Sequence, residues 1–213
     1  MEEFLKPTEW CESDHPDIVG KARKQTAGLE DDRAKAMALY EFVRSLSYML
    51  GPTRSAVEAL KVGGGVCASK ANLLVGLLRA AGIPARYHHF YYDKQASSYY
   101  IPAFMHRKLE PHRGHSHAEV YLDGRWIKID ATFDEALLPD RSRPWDGKSD
   151  IVAFRPDEIV EDLGPSPTLK ADIFVKPPMP PEMLEMIFGM VGLYFDTIRM
   201  KNKMEKHLAK FVS

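Results

Sequence analysis

The chain has 213 residues, 45% hydrophobic and 28% charged, the balance of a globular protein with room for one cored domain and an appended element. A net charge of −1 and a pI of about 6.7 carry no electrostatic footprint for nucleic acid or an anionic membrane as partner. Two distant cysteines, Cys11 and Cys67, exclude a readable disulfide framework and fit a reducing compartment.

The first residues, Met1-Glu2-Glu3-Phe4-Leu5-Lys6-Pro7, lack a basic region followed by an apolar one, so no signal peptide is expected. The longest apolar stretch, Met183 to Phe195, is too short for a bilayer and contains Glu185. Together these features predict a soluble cytoplasmic protein.

Residues 1–15 read as irregular. Pro16 opens a short helix to Ala27, with Ile18, Val19 and Ala22 on one face. Asp31 and Asp32 begin a longer one, whose apolar positions Ala36, Leu39, Tyr40, Val43, Leu46 and Leu50 keep the helical period until Gly51-Pro52. Ser55-Ala56-Val57-Glu58 fits a capping box for a third helix, ending near Val62. Then comes Gly63-Gly64-Gly65-Val66-Cys67, followed by apolar residues at Ala71, Leu74, Val75 and Leu78 and a stop at Gly82 and Pro84. This spacing puts Cys67 in the first turn of a helix, where backbone N–H groups and the helix dipole favour a thiolate, the nucleophilic form. A cysteine that only packs needs no glycine turn in front of it.

Ala85 to Tyr92 reads as a strand, with His88 and His89 as packing residues. Residues 93–114 hold no sustained period and read as a long loop bordering a cleft. Asp123-Gly124 between 118–122 and 125–130 predicts a two-residue hairpin. Its register sets Tyr121 against Trp126, Glu119 against Lys128 and, one step on, His117 against Asp130. His115, His117 and Asp130 then share one face. Ala118, Val120, Leu122, Ile127 and Ile129 make the apolar face.

From Phe133 to Pro181 the chain reads as irregular wrapping, with short strands at Ile151–Phe154 and Ile173–Val175 and a stiff connector at Lys176-Pro177-Pro178-Met179-Pro180-Pro181. A last helix runs from about Glu182 to Lys210, with a stripe of Met183, Ile187, Met190, Val191, Tyr194 and Ile198 expected to pack on the chain's own core.

A helix-start cysteine, a histidine some fifty residues on and an aspartate on the paired strand form a nucleophile, base and orienter set. With Gly65-Val66-Cys67, the helix Leu73 to Ala81, Gly82-Ile83-Pro84-Ala85-Arg86-Tyr87 and His115-Ser116-His117-Ala118-Glu119-Val120-Tyr121 through Trp126 to Asp130-Ala131-Thr132, the sequence resembles the transglutaminase-like superfamily of papain-like cysteine enzymes over about residues 36–134. The resemblance implies an α+β fold in which the cysteine helix packs on an antiparallel sheet, with a helical N-terminal part and a long C-terminal helix. The expected division is a domain of residues 1–180 with its core at 36–134, and 181–213 as the helix packed on it. The resemblance also implies Cys67 as nucleophile, His115 as base and Asp130 as orienter, with no cofactor or metal and an amide-containing protein or peptide as substrate. Hairpin geometry alone favours His117 as the base, and His117 stands where the family usually has tryptophan. Ala131 stands where the family usually has proline after the aspartate. The Cys67 backbone N–H is one natural oxyanion donor, and Tyr48 is a candidate for the second, against its reading as a buried helix aromatic.

Two other readings compete. Six of the eight histidines fall between His88 and His117, and His115 with His117 could ligate a metal in a histidine-rich metal-binding protein. Alternatively, the chain is a catalytically inactive relative that binds peptides. Oligomeric state and the choice between hydrolysis and acyl transfer are not encoded in any motif.

Overall fold

The computed structural model describes residues 1–174 and 180–212. Helix α1 (Pro16–Gln25) starts with His15 as its cap and Pro16 in its first turn. Helix α2 (Asp32–Ser45) is capped by Asp31, whose carboxylate accepts from the Ala34 N–H at 2.9 Å. It ends one turn before the periodicity predicts. The ammonium of Lys70, buried on a neighbouring helix, donates to the Leu46 carbonyl at 2.8 Å and so satisfies an end that would otherwise continue. Leu46 and Leu50 therefore leave the helical stripe. Strand β1 (Ser47–Tyr48) follows, then helix α3 (Ala56–Val62), whose Ser55/Glu58 capping box forms as expected.

The glycine turn has two distinct uses. Gly63 caps α3 at φ 78°, a left-handed conformation that costs glycine little. Gly64 begins strand β2 (Gly64–Gly65), parallel to β1, and lies so close to Ser47 that any Cβ would collide with its carbonyl oxygen. Helix α4 (Cys67–Ala80) starts directly after this pairing. It is buried almost all round, because the other N-terminal helices surround it and the sheet covers its remaining side.

Strand β3 (Ala85–Asp93), helix α5 (Ala103–His106), strand β4 (His112–Leu122) and strand β5 (Arg125–Ile129) come next, and strand β6 (Ile159–Ser166) completes an antiparallel sheet in the order β5-β4-β3-β6. The β4/β5 register is the one the Asp-Gly loop dictates, from Leu122 opposite Arg125 to Ala118 opposite Ile129. Strand β4 begins at His112, inside the stretch that reads as a loop. Strand β6 carries Pro165 and a run of charge, which hides its pattern; as an edge strand it tolerates both, and its register on β3 shifts twice. Ile151 makes only an isolated parallel bridge to Ile129 rather than opening a strand. Ile173 closes a 3-10 turn, Ala171–Ile173, and Val175 and the connector residues 176–179 lie outside the described residues.

The sheet separates two cores. One face, with Ala118, Val120, Ile127 and Ile129, packs on α4 and the other N-terminal helices. The second core is largely aromatic, built from Tyr48, Phe90, Tyr92, Tyr100, Phe133 and Phe154. Helix α6 (Pro181–Val212) closes it with Val191 and Phe195. Of the expected α6 stripe, Ile187, Val191 and Ile198 face this core, whereas Met183, Met190 and Tyr194 are exposed. Phe195 takes their place, one of the largest fully buried side chains. Among the described residues, no helix is long and apolar enough to cross a membrane.

Candidate active site

Cys67 is the first residue of α4, half-buried, with Val66 as the helix cap and no side chain capping that end. The first-turn N–H groups are thus oriented toward whatever sits beside the sulfur. The β1/β2 pairing fixes its approach: Tyr48 lies opposite Gly65, and the Met49 N–H donates to the Gly65 carbonyl at 3.1 Å. Cys11, by contrast, is fully buried in the helical core against Arg79 and Thr8.

His115 and Asp130 are both buried, and His115 Nε2 donates to Asp130 Oδ2 at 2.9 Å. Pairing between β4 and β5 stops at Ala118 and Ile129, and the Asp130 N–H turns to the Ile151 carbonyl at 2.9 Å. The strand end thus swings the carboxylate to the diagonal histidine, where continued pairing would set it against His117. Two backbone donors complete its shell: Thr132 N–H to Oδ1 and Ala153 N–H to Oδ2, each at 3.1 Å. Burial alone would push the Asp130 carboxyl up, but the charge and hydrogen bond of His115, the His117 charge and the Thr132 side chain hold it well below the usual carboxylate range. Burial likewise disfavours the His115 imidazolium, yet Asp130 and the Cys67 side chain, acting by charge and hydrogen bond, overcome it and raise its pKa to about 10. With Nε2 engaged by Asp130, Nδ1 is the nitrogen left for the thiol.

His117 is equally buried, but neither of its ring nitrogens has a hydrogen-bond partner among the described residues. Its ring stacks on His88 at 5.1 Å between centroids. His88 in turn sits between carboxylates, with Nδ1 2.7 Å from Glu119 and Nε2 2.8 Å from Asp162. Burial drives the His117 pKa well below the ordinary value; the nearby imidazoles add to this, and Asp130 opposes it without prevailing.

Tyr48 lies on β1, not on a helix, and is buried in the aromatic core. Its ring meets Phe133 at 4.9 Å and Tyr100 at 6.1 Å. Burial raises its hydroxyl pKa well above the ordinary value, and the Cys67 charge adds to that. Its backbone is clamped by a pair absent from the sequence reading. The Tyr48 N–H donates to Asp134 at 2.8 Å, while Arg199 of α6 donates to the Tyr48 carbonyl at 2.7 Å and to Asp134 at 2.9 Å. Only the one-turn helical spacing from Phe195 to Arg199 could have hinted at it. From the 93–114 segment, Tyr100 and Ile101 reach this cluster.

Three of the six clustered histidines are engaged separately: His88 with two carboxylates, His89 with Ser116 at 2.6 Å, and His106 with the Lys94 carbonyl at 2.9 Å. Among the described residues, one set, His115, His117 and Asp130, has ligand atoms within 4.8 Å of one another. Within it His115 and Asp130 are hydrogen-bonded to each other.

The chain resembles a crystal structure of a candidate cysteine protease from Cytophaga hutchinsonii, with a TM-score of 0.52 and 25% identity over 77% of this chain. This chain spans 46% of that protein's length. A candidate protease from Parabacteroides distasonis is matched more weakly, with a TM-score of 0.42 and 17% identity over 63% of this chain and 26% of that one. None of the curated proteins matches the chain. The family model for the transglutaminase-like superfamily matches residues 20–131, more than half the chain, covering α4, the glycine turn, His115 and Asp130. The chain belongs to the transglutaminase-like superfamily.

Proposed function

We propose that this protein is a thiol enzyme acting on amide bonds of a protein or peptide, with Cys67 as nucleophile, His115 as base and Asp130 as orienter. The observation that carries the reading is the buried 2.9 Å His115–Asp130 hydrogen bond on a histidine that also interacts with the Cys67 side chain. The Cys67 sulfur attacks the amide carbonyl carbon, and His115 passes the thiol proton to the departing amine. The resulting thioester is resolved by water, releasing an acid, or by a second amine, releasing a new amide; either restores the thiol. Asp130 holds the ring with Nδ1 toward the sulfur and steadies the imidazolium. The Cys67 N–H and the Tyr48 hydroxyl are the proposed oxyanion donors, a role supported by the electrostatic influence of Cys67 on Tyr48. We place Asp130 against His115 rather than His117 because the former pair is bonded and the latter ring is left without a partner.

Electrophilic amide and peptide probes, followed by mapping of the labelled residue, test this reading. Label on Cys67 that disappears in His115→Ala but persists in His117→Ala supports it. Label lost in His117→Ala and retained in His115→Ala would transfer the base role to His117. No dependence on either histidine would leave a peptide-binding relative. Acid release against amine incorporation, measured on one labelled substrate, separates hydrolysis from acyl transfer.

A further inference from the structure

Helix α6 has two apolar faces, and the protein covers one. Its inner face, Ile187, Val191, Phe195 and Ile198, packs on the aromatic core, and Arg199 fastens it to Asp134. The other face is open. Met186, Met190, Leu193, Thr197, Met200 and Met204 follow one another at alternating steps of four and three along the 32-residue helix, and all are exposed, Leu193 and Met200 at 72%. A monomer rarely leaves a continuous apolar stripe of this kind in water. Alternating three- and four-residue spacing is the seam of a two-helix coiled coil, so the pattern itself asks for a helix as partner. A 32-residue helix is about 48 Å long, enough for several layers of such contacts.

The charges beside the seam select the partner. The N-terminal part carries exposed Glu182 and Glu185, and the C-terminal part carries exposed Lys201, Lys203, Lys206 and Lys210 with Glu205. Two parallel copies would set acid against acid and lysine against lysine. Two antiparallel copies set the acidic end of each against the lysine-rich end of the other, so the helix is complementary to itself. We propose that the open face of α6 docks against the same face of a second copy of this chain, as an antiparallel two-helix seam with a two-fold axis. In the register that pairs apolar positions, Met186 meets Met204, Met190 meets Met200 and Leu193 meets Thr197. Glu182 then faces Lys210 of the other copy at both ends of the seam. Methionine suits such layers, being flexible and polarisable enough to fill a self-paired surface. The interface is isologous, so it closes at two copies and does not propagate. Because the open and packed faces lie on different sides of α6, each copy's body stays outside the pair.

Sedimentation velocity on the full chain across micromolar concentrations tests this. The expected species is a dimer. Leu193→Glu should give a monomer with unchanged circular dichroism, since within one copy that side chain touches solvent and not the core. Glu182→Lys should weaken association several-fold, and adding Lys210→Glu should restore it, a rescue that a parallel pair cannot show. This charge pair keeps the test decisive should Leu193→Glu fold poorly. A wild-type chain that stays monomeric, a Leu193→Glu chain that still dimerises, or an absent rescue overturns the proposal. So does monomeric protein that co-sediments with anionic phospholipid vesicles through Leu193, which would assign the stripe to a membrane surface.

Discussion

His115 and His117 stand two residues apart on one face of β4, equally shut off from water, and their surroundings drive them in opposite directions. His115 meets a carboxylate at 2.9 Å, and that carboxylate, together with the influence of the Cys67 side chain, holds its cationic form up to about pH 10. His117 meets the rings of His88 and Phe90 and no hydrogen-bond partner among the described residues, and its neutral form prevails. Burial is common to both and by itself disfavours charge. One charge partner within bonding distance reverses the outcome. A strand face tells which side chains share an environment, but a histidine's chemistry depends on which of them lies within about 3 Å.

The largest expected effect comes from breaking the His115 side. His115→Ala should lower amide-bond turnover by on the order of a hundredfold to ten-thousandfold, the usual range for a positioned acid or base. His117→Ala should change it by no more than a few-fold. Rates measured side by side decide the matter, and a reversed order would move the base role to His117.

Asp130→Asn is expected next in size, a loss of roughly tenfold to a hundredfold, because it leaves the imidazole in place without its orienter. Its sharper signature is spectroscopic. The His115 ring should titrate well below 10 in the variant, and ring-proton NMR across pH reads this directly. A His115 that still titrated near 10 would mean that Asp130 is not what holds it.

The sheet explains how much of this was legible. The Asp-Gly loop fixed the β4/β5 register, so the shared face of His115, His117 and Asp130 could be read before any coordinates. The glycines before Cys67 read as a turn, and the structure uses one of them, Gly64, to bring the chain against the Ser47 carbonyl. What could not be read were the long-range bonds. Lys70 reaches Leu46 and stops α2 early. Asp130 leaves the ladder for the Ile151 carbonyl, turning a straight-across geometry into a diagonal one. Arg199 holds Tyr48 across a large gap in the chain. None of these leaves a periodic trace, and β6 leaves none because an edge strand can carry proline and charge.

The two histidines should also divide the pH dependence of stability. His115 has a folded pKa raised to about 10, above its ordinary 6.5. Its contribution is therefore complete below pH 6.5 and lost as pH rises through about 10. Denaturant unfolding of wild type and His115→Phe should show the alkaline loss in the first and a weaker one in the second.

The smallest effect, and the most specific, belongs to His117. Its folded pKa lies below 6.5, so the unfolded chain takes up a proton that the folded chain refuses. Stability is complete above pH 6.5 and falls as pH drops below it. His89, lowered by burial to about 4, pulls the same way and remains in a His117 variant. His117→Phe should therefore flatten the acid limb without abolishing it. The substitution also removes two buried nitrogens that lack a hydrogen-bond partner among the described residues, and phenylalanine suits the stack with His88 and Phe90. A buried polar group without a partner costs about 1–3 kcal/mol, so the variant should gain about 1 kcal/mol at neutral pH after allowing for imperfect fit. Melting curves from pH 4 to 8 give both readings at once. A loss at neutral pH with an unchanged acid limb would show that His117 finds a partner in solution, and the contrast between the two histidines would then be one of degree.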